Sequence, residues 1–174
     1  MDLLKKLSIA AFCFLLFSGN AHALEWYLGL DGFNWEFEDE LLPDKVNGTS
    51  VRGRLGFVIT KNLVIETQFA APGTESEGAS TVDFQNLFNF MVQGVYPIGK
   101  ANLYGVLGIS SVRTSREVGN SRVSGRENGF SYGLGANYRF HKRWSINGDY
   151  IQYLDKSNMK LGGYTVGVSY YFTQ

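Results

Sequence analysis

Five charged residues stand within segments whose other side chains alternate between apolar and small or polar. They are Arg52, Arg54, Glu66, Arg139 and Asp149. Successive side chains of an extended strand point to opposite sides, and each of the five falls on the polar side of its segment. Because an unpaired buried charge is costly, we predict a network in which Glu66 and Asp149 pair with the three arginines.

Such a network can act electrostatically in two ways. It can satisfy and plug a polar interior, which is the interpretation we favour, or it can line a narrow, gated pore. Both require a closed sheet around the five side chains.

Eight segments have the period-two alternation of strands. They cover 25–37, 50–59, 63–71, 83–96, 102–114, 130–140, 144–154 and 161–172. In the first, the apolar phase shifts after Asp31-Gly32, which we interpret as a β-bulge. In 102–114 the pattern leaves open which face points outward. The lengths match those of tilted strands that cross a bilayer.

The volume of the side chains decides which face of the sheet points outward. An eight-stranded barrel has room inside only for its own side chains. The apolar set, with about four or five bulky residues per strand, would overfill that space, whereas the opposite set is mostly small and polar. We therefore predict an eight-stranded antiparallel up-and-down transmembrane β-barrel with a polar lumen.

Aromatic side chains cluster near both ends of the predicted strands, as expected for interfacial belts. Near one end lie Trp26, Tyr96, Tyr138, Phe140, Trp144, Tyr170 and Phe172. Near the other end lie Trp35, Phe130, Tyr132, Tyr150 and Tyr164. In the seventh strand, Leu154 is assigned to the apolar, lipid-facing set.

The connections alternate between long and short, and short turns mark the periplasmic end of an outer-membrane barrel. Both termini are therefore predicted in the periplasm. The charged residues of the long connections are candidate contacts for lipopolysaccharide phosphates or, alternatively, for an adhesin ligand. They are Glu38, Asp39 and Glu40 after the first strand and Arg116, Arg122 and Arg126 in the longest loop, 115–128.

The start of the chain has the features of a secretory signal peptide. Lys5 and Lys6 precede an apolar run, and Ala21-His22-Ala23 forms a small-x-small cleavage site. The run is shorter than the roughly 20 apolar residues of a spanning helix. We expect residues 1–23 to be removed, which leaves one barrel domain over 24–174.

The final segment carries a resemblance to a known family. Tyr164, Gly167, Val168, Tyr170 and Phe172 resemble the C-terminal assembly signal of bacterial outer-membrane barrels, although two residues follow the last aromatic. Glu25-Trp26-Tyr27-Leu28-Gly29 and Asn62-Leu63-Val64-Ile65-Glu66 extend the likeness. The exported chain is similar to the small barrels that include the transmembrane domain of OmpA, OmpX and the opacity proteins.

The resemblance implies an integral protein of the outer membrane of a Gram-negative cell. Its implied partners are outer-membrane lipid and lipopolysaccharide, with the barrel-assembly machinery and periplasmic chaperones during biogenesis. It implies a monomer with a structural or surface-interaction role. A small pore and an adhesin acting through the external loops are the alternatives.

Composition and residue types bear on the remaining classes of function. The 174 residues include 16 basic and 16 acidic side chains, so no basic excess points to nucleic acid. Outside the leader the one histidine is His141, in a predicted periplasmic turn, where it cannot act as a general base on an external lipid. Cys13, the one cysteine, lies in the leader. We expect no enzyme activity, no metal site and no cofactor.

Overall fold

The computed structural model describes residues 25–40, 45–71, 73–77, 80–118, 121–156 and 159–172. The described residues form nine strands: β1 (Glu25–Asp39), β2 (Val46–Thr60), β3 (Leu63–Ala70), β4 (Gly73–Glu77), β5 (Ser80–Ile98), β6 (Ala101–Val118), β7 (Ser121–His141), β8 (Trp144–Lys156) and β9 (Met159–Phe172). The predicted signal peptide, residues 1–23, lies outside them. No helix in this part of the chain is long and apolar enough to cross a membrane.

The sheet closes on itself. β1 pairs antiparallel with both β2 and β9, so the last strand meets the first, as predicted. β3 and β4 follow one another along β5, with Ala70 opposite Leu87 and Gly73 opposite Phe84. They are two parts of one barrel strand, broken where the sequence has Pro72, which has no N–H to donate to the ladder. The eight-stranded antiparallel up-and-down barrel is therefore confirmed.

The predicted apolar faces of most strands point out of the barrel. On β9, Tyr164, Val166 and Val168 are exposed, whereas Thr165 and Ser169 are buried in the lumen. The same holds on β2, β3, β5 and β7. On β6, which the pattern left open, the outward set is Leu103, Leu107 and Ile109.

β1 departs from the prediction. Its pairing with β2 and β9 is continuous, so there is no bulge at Asp31-Gly32. Trp35, assigned to an interfacial belt, is fully buried inside, and Asn34 takes the outward position beside it. We infer that the apolar phase shifts because the strand leaves the membrane, so that water replaces lipid outside the barrel beyond Gly32.

The barrel beyond this level has an apolar interior, which we call the external core. It consists of Phe33, Trp35, Phe37, Val46, Ile151, Tyr153, Leu154, Met159 and Leu161, all buried. Leu154 was predicted to face lipid and this was wrong, because a bulge between Gln152 and Leu154 turns it inward. The prediction of a polar lumen thus holds only for the membrane-spanning part.

The longest predicted loop is also largely wrong. β6 and β7 stay paired up to Val118 opposite Ser121, so most of 115–128 is a β6–β7 ribbon that continues the barrel wall, with β5 paired along the other side of β6 up to Thr81 opposite Glu117. Its sequence is polar on both faces and therefore resembles a loop. Backbone hydrogen bonds between the strands hold the ribbon together. A pattern of alternating apolar residues cannot reveal such bonds, so the sequence did not predict these strands.

Candidate functional site

Glycines on neighbouring strands make room for the lumen side chains. Tyr27 lies opposite Gly56, and Tyr104 lies opposite Gly135. A Cβ at either glycine would overlap the tyrosine ring. Without it, both rings lie across the adjacent strand and their hydroxyls reach buried carboxylates: Tyr27 donates to Glu66 and Tyr104 donates to Asp149, the latter at 3.1 Å.

Arg52 is the centre of the network and is fully buried. Its Nη1 and Nη2 donate to Oδ1 and Oδ2 of Asp149 at 2.9 and 2.7 Å, which is a bidentate pair. Its Nη2 also lies 2.6 Å from Asp31 Oδ2. Nη1 also donates to the Tyr153 hydroxyl at 2.7 Å, and Nη2 also donates to the Thr165 hydroxyl at 2.8 Å. One side chain of β2 thereby binds β1, β8 and β9.

Arg54 forms the second centre, one layer closer to the periplasm. Its Nε lies 2.8 Å from Asp31 Oδ2, and its Nη1 lies 3.4 Å from Glu66 Oε2. Its Nη2 donates to Ser169 Oγ at 2.8 Å. Asp31 therefore joins the two arginines, and Gln68 extends the network by donating to Glu66 at 2.6 Å.

The network contains three carboxylates and two guanidinium groups among the described side chains. The carboxylate in excess is stabilised by neutral donors: tyrosine hydroxyls, the Gln68 amide and Asn147, which donates to Asp31 at 2.9 Å. Charge-assisted hydrogen bonds of this kind are about twice as strong as neutral ones. The arrangement cross-links β1, β2, β3, β8 and β9 through the lumen.

The external core lies directly beyond the network. Tyr153 connects the two, because its hydroxyl binds Arg52 while its ring contacts Phe33 edge-on, with centroids 5.5 Å apart. An apolar layer offers a permeating ion no ligand to replace its water. The interior therefore has a polar layer and an apolar layer in series.

Arg139 lies apart from this network. It is at the periplasmic mouth, where its Nη1 donates to Glu25 Oε1 at 3.0 Å and its guanidinium stacks 3.8 Å from the centre of the Tyr171 ring. The prediction that Arg139 pairs with Glu66 or Asp149 was wrong. It shares their strand phase, but it lies near the end of β7, too close to the mouth to reach them.

Comparison with known families decides what kind of protein this is. A family-wide sequence model described as "Outer membrane protein beta-barrel domain" matches residues 8–172. The chain belongs to this family. A comparison with curated protein sequences found no significant match.

Solved structures of other outer-membrane barrels have the same fold. Neisserial surface protein A is 17% identical with a TM-score of 0.71, over 84% of this chain and 97% of that protein. Ail of Yersinia pestis, solved with the heparin analogue sucrose octasulfate, is 17% identical with a TM-score of 0.65, over 86% and 99%. OprG of Pseudomonas aeruginosa is 14% identical with a TM-score of 0.63, over 88% and 98%. At these identities the likeness concerns the fold.

The residues that resemble an assembly signal also contribute to closing this outer-membrane barrel. Phe172 stacks on Trp26 of β1 with centroids 3.8 Å apart, and Tyr170 contacts Trp144 of β8 edge-on at 5.0 Å. Gly167 lies opposite Asp31, and a Cβ there would overlap its carboxylate. Tyr164 and Val168 face outward. Recognition of these residues by the assembly machinery stays a prediction.

The predicted external contacts are not brought together. Glu38 pairs with Lys45, which also lies 3.3 Å from Glu36, while Asp39 is partly buried and Glu40 is exposed in the turn after β1. Hydrogen bonding to Lys45 lowers the pKa of Glu38, and the same bonds raise the pKa of Lys45. The three arginines lie across the β6–β7 ribbon instead, Arg116 on β6 and Arg122 and Arg126 on β7.

Two functional candidates were missed from the sequence. Asp31 sits on the lumen side of its alternating segment, and that phase could have placed it in the network. Arg113 lies directly opposite Arg126 in the β6–β7 ladder, and both are exposed. No local pattern predicts that pairing, because it depends on the register of the ribbon. Among the described residues no group of three or more His, Cys, Asp or Glu side chains could hold a metal ion.

Proposed function

We propose that this outer-membrane barrel has a closed lumen and serves as a membrane-anchored structural or surface-interaction protein. The observation that supports the proposal is the polar layer followed by an apolar layer along the lumen. Arg52 crosses the interior to Asp149 at 2.7 Å, and the external core follows it. An ion would have to separate buried ion pairs and then cross an apolar layer, and either step is costly.

Recording across planar bilayers tests this closure. The wild-type protein, Glu66→Ala and Trp35→Ala should all lack discrete conductance steps, because each single variant leaves the other layer in place. The double variant Glu66→Ala/Trp35→Ala is the matched case in which both layers are weakened, and it should show openings. Reproducible steps from the wild type that change in Glu66→Ala would overturn the proposal in favour of a small pore.

A second candidate function concerns the outer wall of the β6–β7 ribbon. Like charges directly opposite one another destabilise a sheet, yet Arg113 faces Arg126. Ile109 and Phe130 lie on the same outer face, four residues closer to the periplasm along each strand, and their side chains are exposed towards lipid. At about 3.3 Å per residue and with strand tilt, the arginine pair lies roughly 10 Å beyond the apolar surface. This is the level of headgroup phosphates, so we propose that the pair binds lipopolysaccharide phosphate.

The paired variant Arg113→Gln/Arg126→Gln tests this contact. Wild-type protein should gain thermal stability in bilayers with lipopolysaccharide relative to pure phosphatidylcholine, and the double variant should lose most of that gain. Arg143→Gln, at the periplasmic end, is the matched control and should keep it. If the gain is unaffected by the double variant, the ribbon does not bind lipopolysaccharide. Deleting 118–125 then tests the adhesin alternative by cell-surface binding.

We do not propose an enzymatic activity. The Nδ1 of His141 accepts from the backbone N–H of Arg143 at 3.3 Å in the turn before β8, which lies at the periplasmic end. We expect lipid A from expressing and deletion cells to have the same mass. A difference of one acyl chain would contradict this expectation.

A further inference from the structure

The periplasmic mouth of the barrel is a cup of about 660 Å³, within the size range of small-ligand sites. Its floor is the buried cluster of Tyr27, Val64 and Tyr171, against which Val58 and Val95 pack. The Tyr27 hydroxyl donates to Glu66, so this floor lies directly against the ion network. The cup therefore opens to the periplasm and ends at an apolar surface.

The lining of the cup has a strong excess of positive charge. Lys61, Lys100, Lys142 and Arg139 line it with one carboxylate, Glu25, in the described part of the chain. Glu25 is already paired with Arg139 at 3.0 Å. The three lysines come from the three described turns at this end, β2–β3, β5–β6 and β7–β8, so they approach the opening from separate sides. Convergent charges at a concave mouth with low-dielectric walls concentrate an attractive potential.

Neutral hydrogen-bonding groups lie below the lysines. Gln93 is buried and lines the cup, and so do Asn102 and Asn137, which are joined by a hydrogen bond of 2.9 Å. A groove of about 480 Å³ at the external end differs in charge, since Glu36 and Glu38 line it with one lysine, Lys160. The cup at the periplasmic mouth therefore has an excess of positive charge that this external groove lacks.

We propose that this cup binds a small, soluble, phosphate-bearing anion from the periplasm. Lysine ammonium groups suit phosphate because they act as compact point charges, and the carboxamides beneath supply oriented donors. The lining consists mostly of lumen-facing side chains and turn residues, whereas the outer surface at this level carries Tyr96 and Tyr138. A phospholipid headgroup would have to leave the bilayer plane to reach the floor, so a soluble anion is the better fit.

The test uses the full exported chain in phosphatidylcholine nanodiscs, with inorganic pyrophosphate as the probe. Side-chain amide NMR signals of Gln93, Asn102 and Asn137 should shift on titration. The variant Lys61→Gln/Lys100→Gln/Lys142→Gln should raise the Kd at least about tenfold, because it removes the charges that focus the potential. The lysines are exposed turn residues, so the variant is expected to fold.

Arg143→Gln is the matched control. Arg143 is a cation of the same rim, but it donates to the lipid-facing Tyr170 hydroxyl at 3.1 Å and does not line the cup. The Kd of the Arg143→Gln variant for pyrophosphate should stay within about twofold of the wild-type value. The proposal is overturned if pyrophosphate shifts none of the three amides. It is also overturned if they shift only when phosphatidylglycerol is added, which would assign the lysines to lipid headgroups. Channel activity would contradict the closed lumen without affecting this binding measurement.

Discussion

Two positions of β1, Leu30 and Phe33, show how the two halves of this barrel differ. Leu30 is 60% exposed on the outer surface, whereas Phe33 is 1% exposed in the interior. Towards the periplasm β1 places Asp31 inward and leucines outward. Towards the exterior it places Phe33, Trp35 and Phe37 inward and polar residues outward. The strand is regular throughout, so the exchange of faces follows the exchange of lipid for water.

A different force stabilises the interior of each half. In the membrane half an apolar side chain gains little by moving from lipid into the lumen, because acyl chains are as apolar as leucine. Ion pairs and hydrogen bonds can therefore occupy that interior, beside a few buried apolar side chains such as Met91 and Val106. In the external half, water surrounds the wall and the hydrophobic effect again favours an apolar interior. One barrel thus has a membrane-protein segment and a water-soluble segment in sequence.

The largest expected effect comes from removing the centre of the polar half. Arg52→Ala leaves the buried Asp149 without its bidentate partner, and we expect a loss of about 3–5 kcal/mol in the free energy of unfolding. Urea unfolding from phosphatidylcholine vesicles, followed by tryptophan fluorescence, measures it. Arg139→Ala is the control, because its pair with Glu25 is partly exposed and should contribute under about 1 kcal/mol. Equal losses in the two variants would contradict a network held by Arg52.

A charge placed at two outward positions of β1 tests where the membrane ends. Leu30→Arg puts a cation among acyl chains and should cost about 2–4 kcal/mol. Asn34→Arg is on the same face four residues along, beyond the proposed boundary, and should stay within about 0.5 kcal/mol of wild type. The same unfolding measurement applies. A comparable cost at both positions would place Asn34 in lipid and would contradict a membrane boundary between Leu30 and Asn34.

One methylene group removed from each half gives a finer test on β8. Ile151 is 1% exposed in the external core, and Ile146 is 49% exposed on the lipid face. Ile151→Val should cost about 0.5–1.5 kcal/mol, because a packed core does not fill the gap. Ile146→Val should change stability by a few tenths of a kcal/mol, since acyl chains adapt to the smaller side chain. The reverse order would mean that the external core is not tightly packed.

The smallest effect is a pH dependence at the external end. Hydrogen bonding to Lys45 lowers the pKa of Glu38 below its ordinary value. A carboxyl group with a lowered pKa contributes stability above its unfolded-state pKa and loses that contribution as the pH falls through the folded-state pKa. NMR titration of Glu38 should show the lowered pKa, and Lys45→Gln should return it towards the usual range. An unchanged titration in Lys45→Gln would exclude the pair.

The parts of the strands that face lipid were predictable from the sequence. From Val51 on β2 and from Tyr164 on β9 towards the periplasm, the side chains alternate, and each strand places its charged or small residues in the lumen. Four of the five predicted network residues, Arg52, Arg54, Glu66 and Asp149, are close together for this reason. The partner they share, Asp31, has the same phase, but the apparent shift at Asp31-Gly32 made its strand look irregular.

The alternation of side chains by itself determined the closed barrel and the inward phase of its charges, because a period of two is a local property of an extended chain. Only the tertiary structure decided how far along the axis each residue lies. Register and closure are set by pairing between distant strands, and they place Arg139 at the mouth, Trp35 in an apolar core and Arg113 against Arg126. A single strand carries the period of its side chains but not its height relative to the membrane.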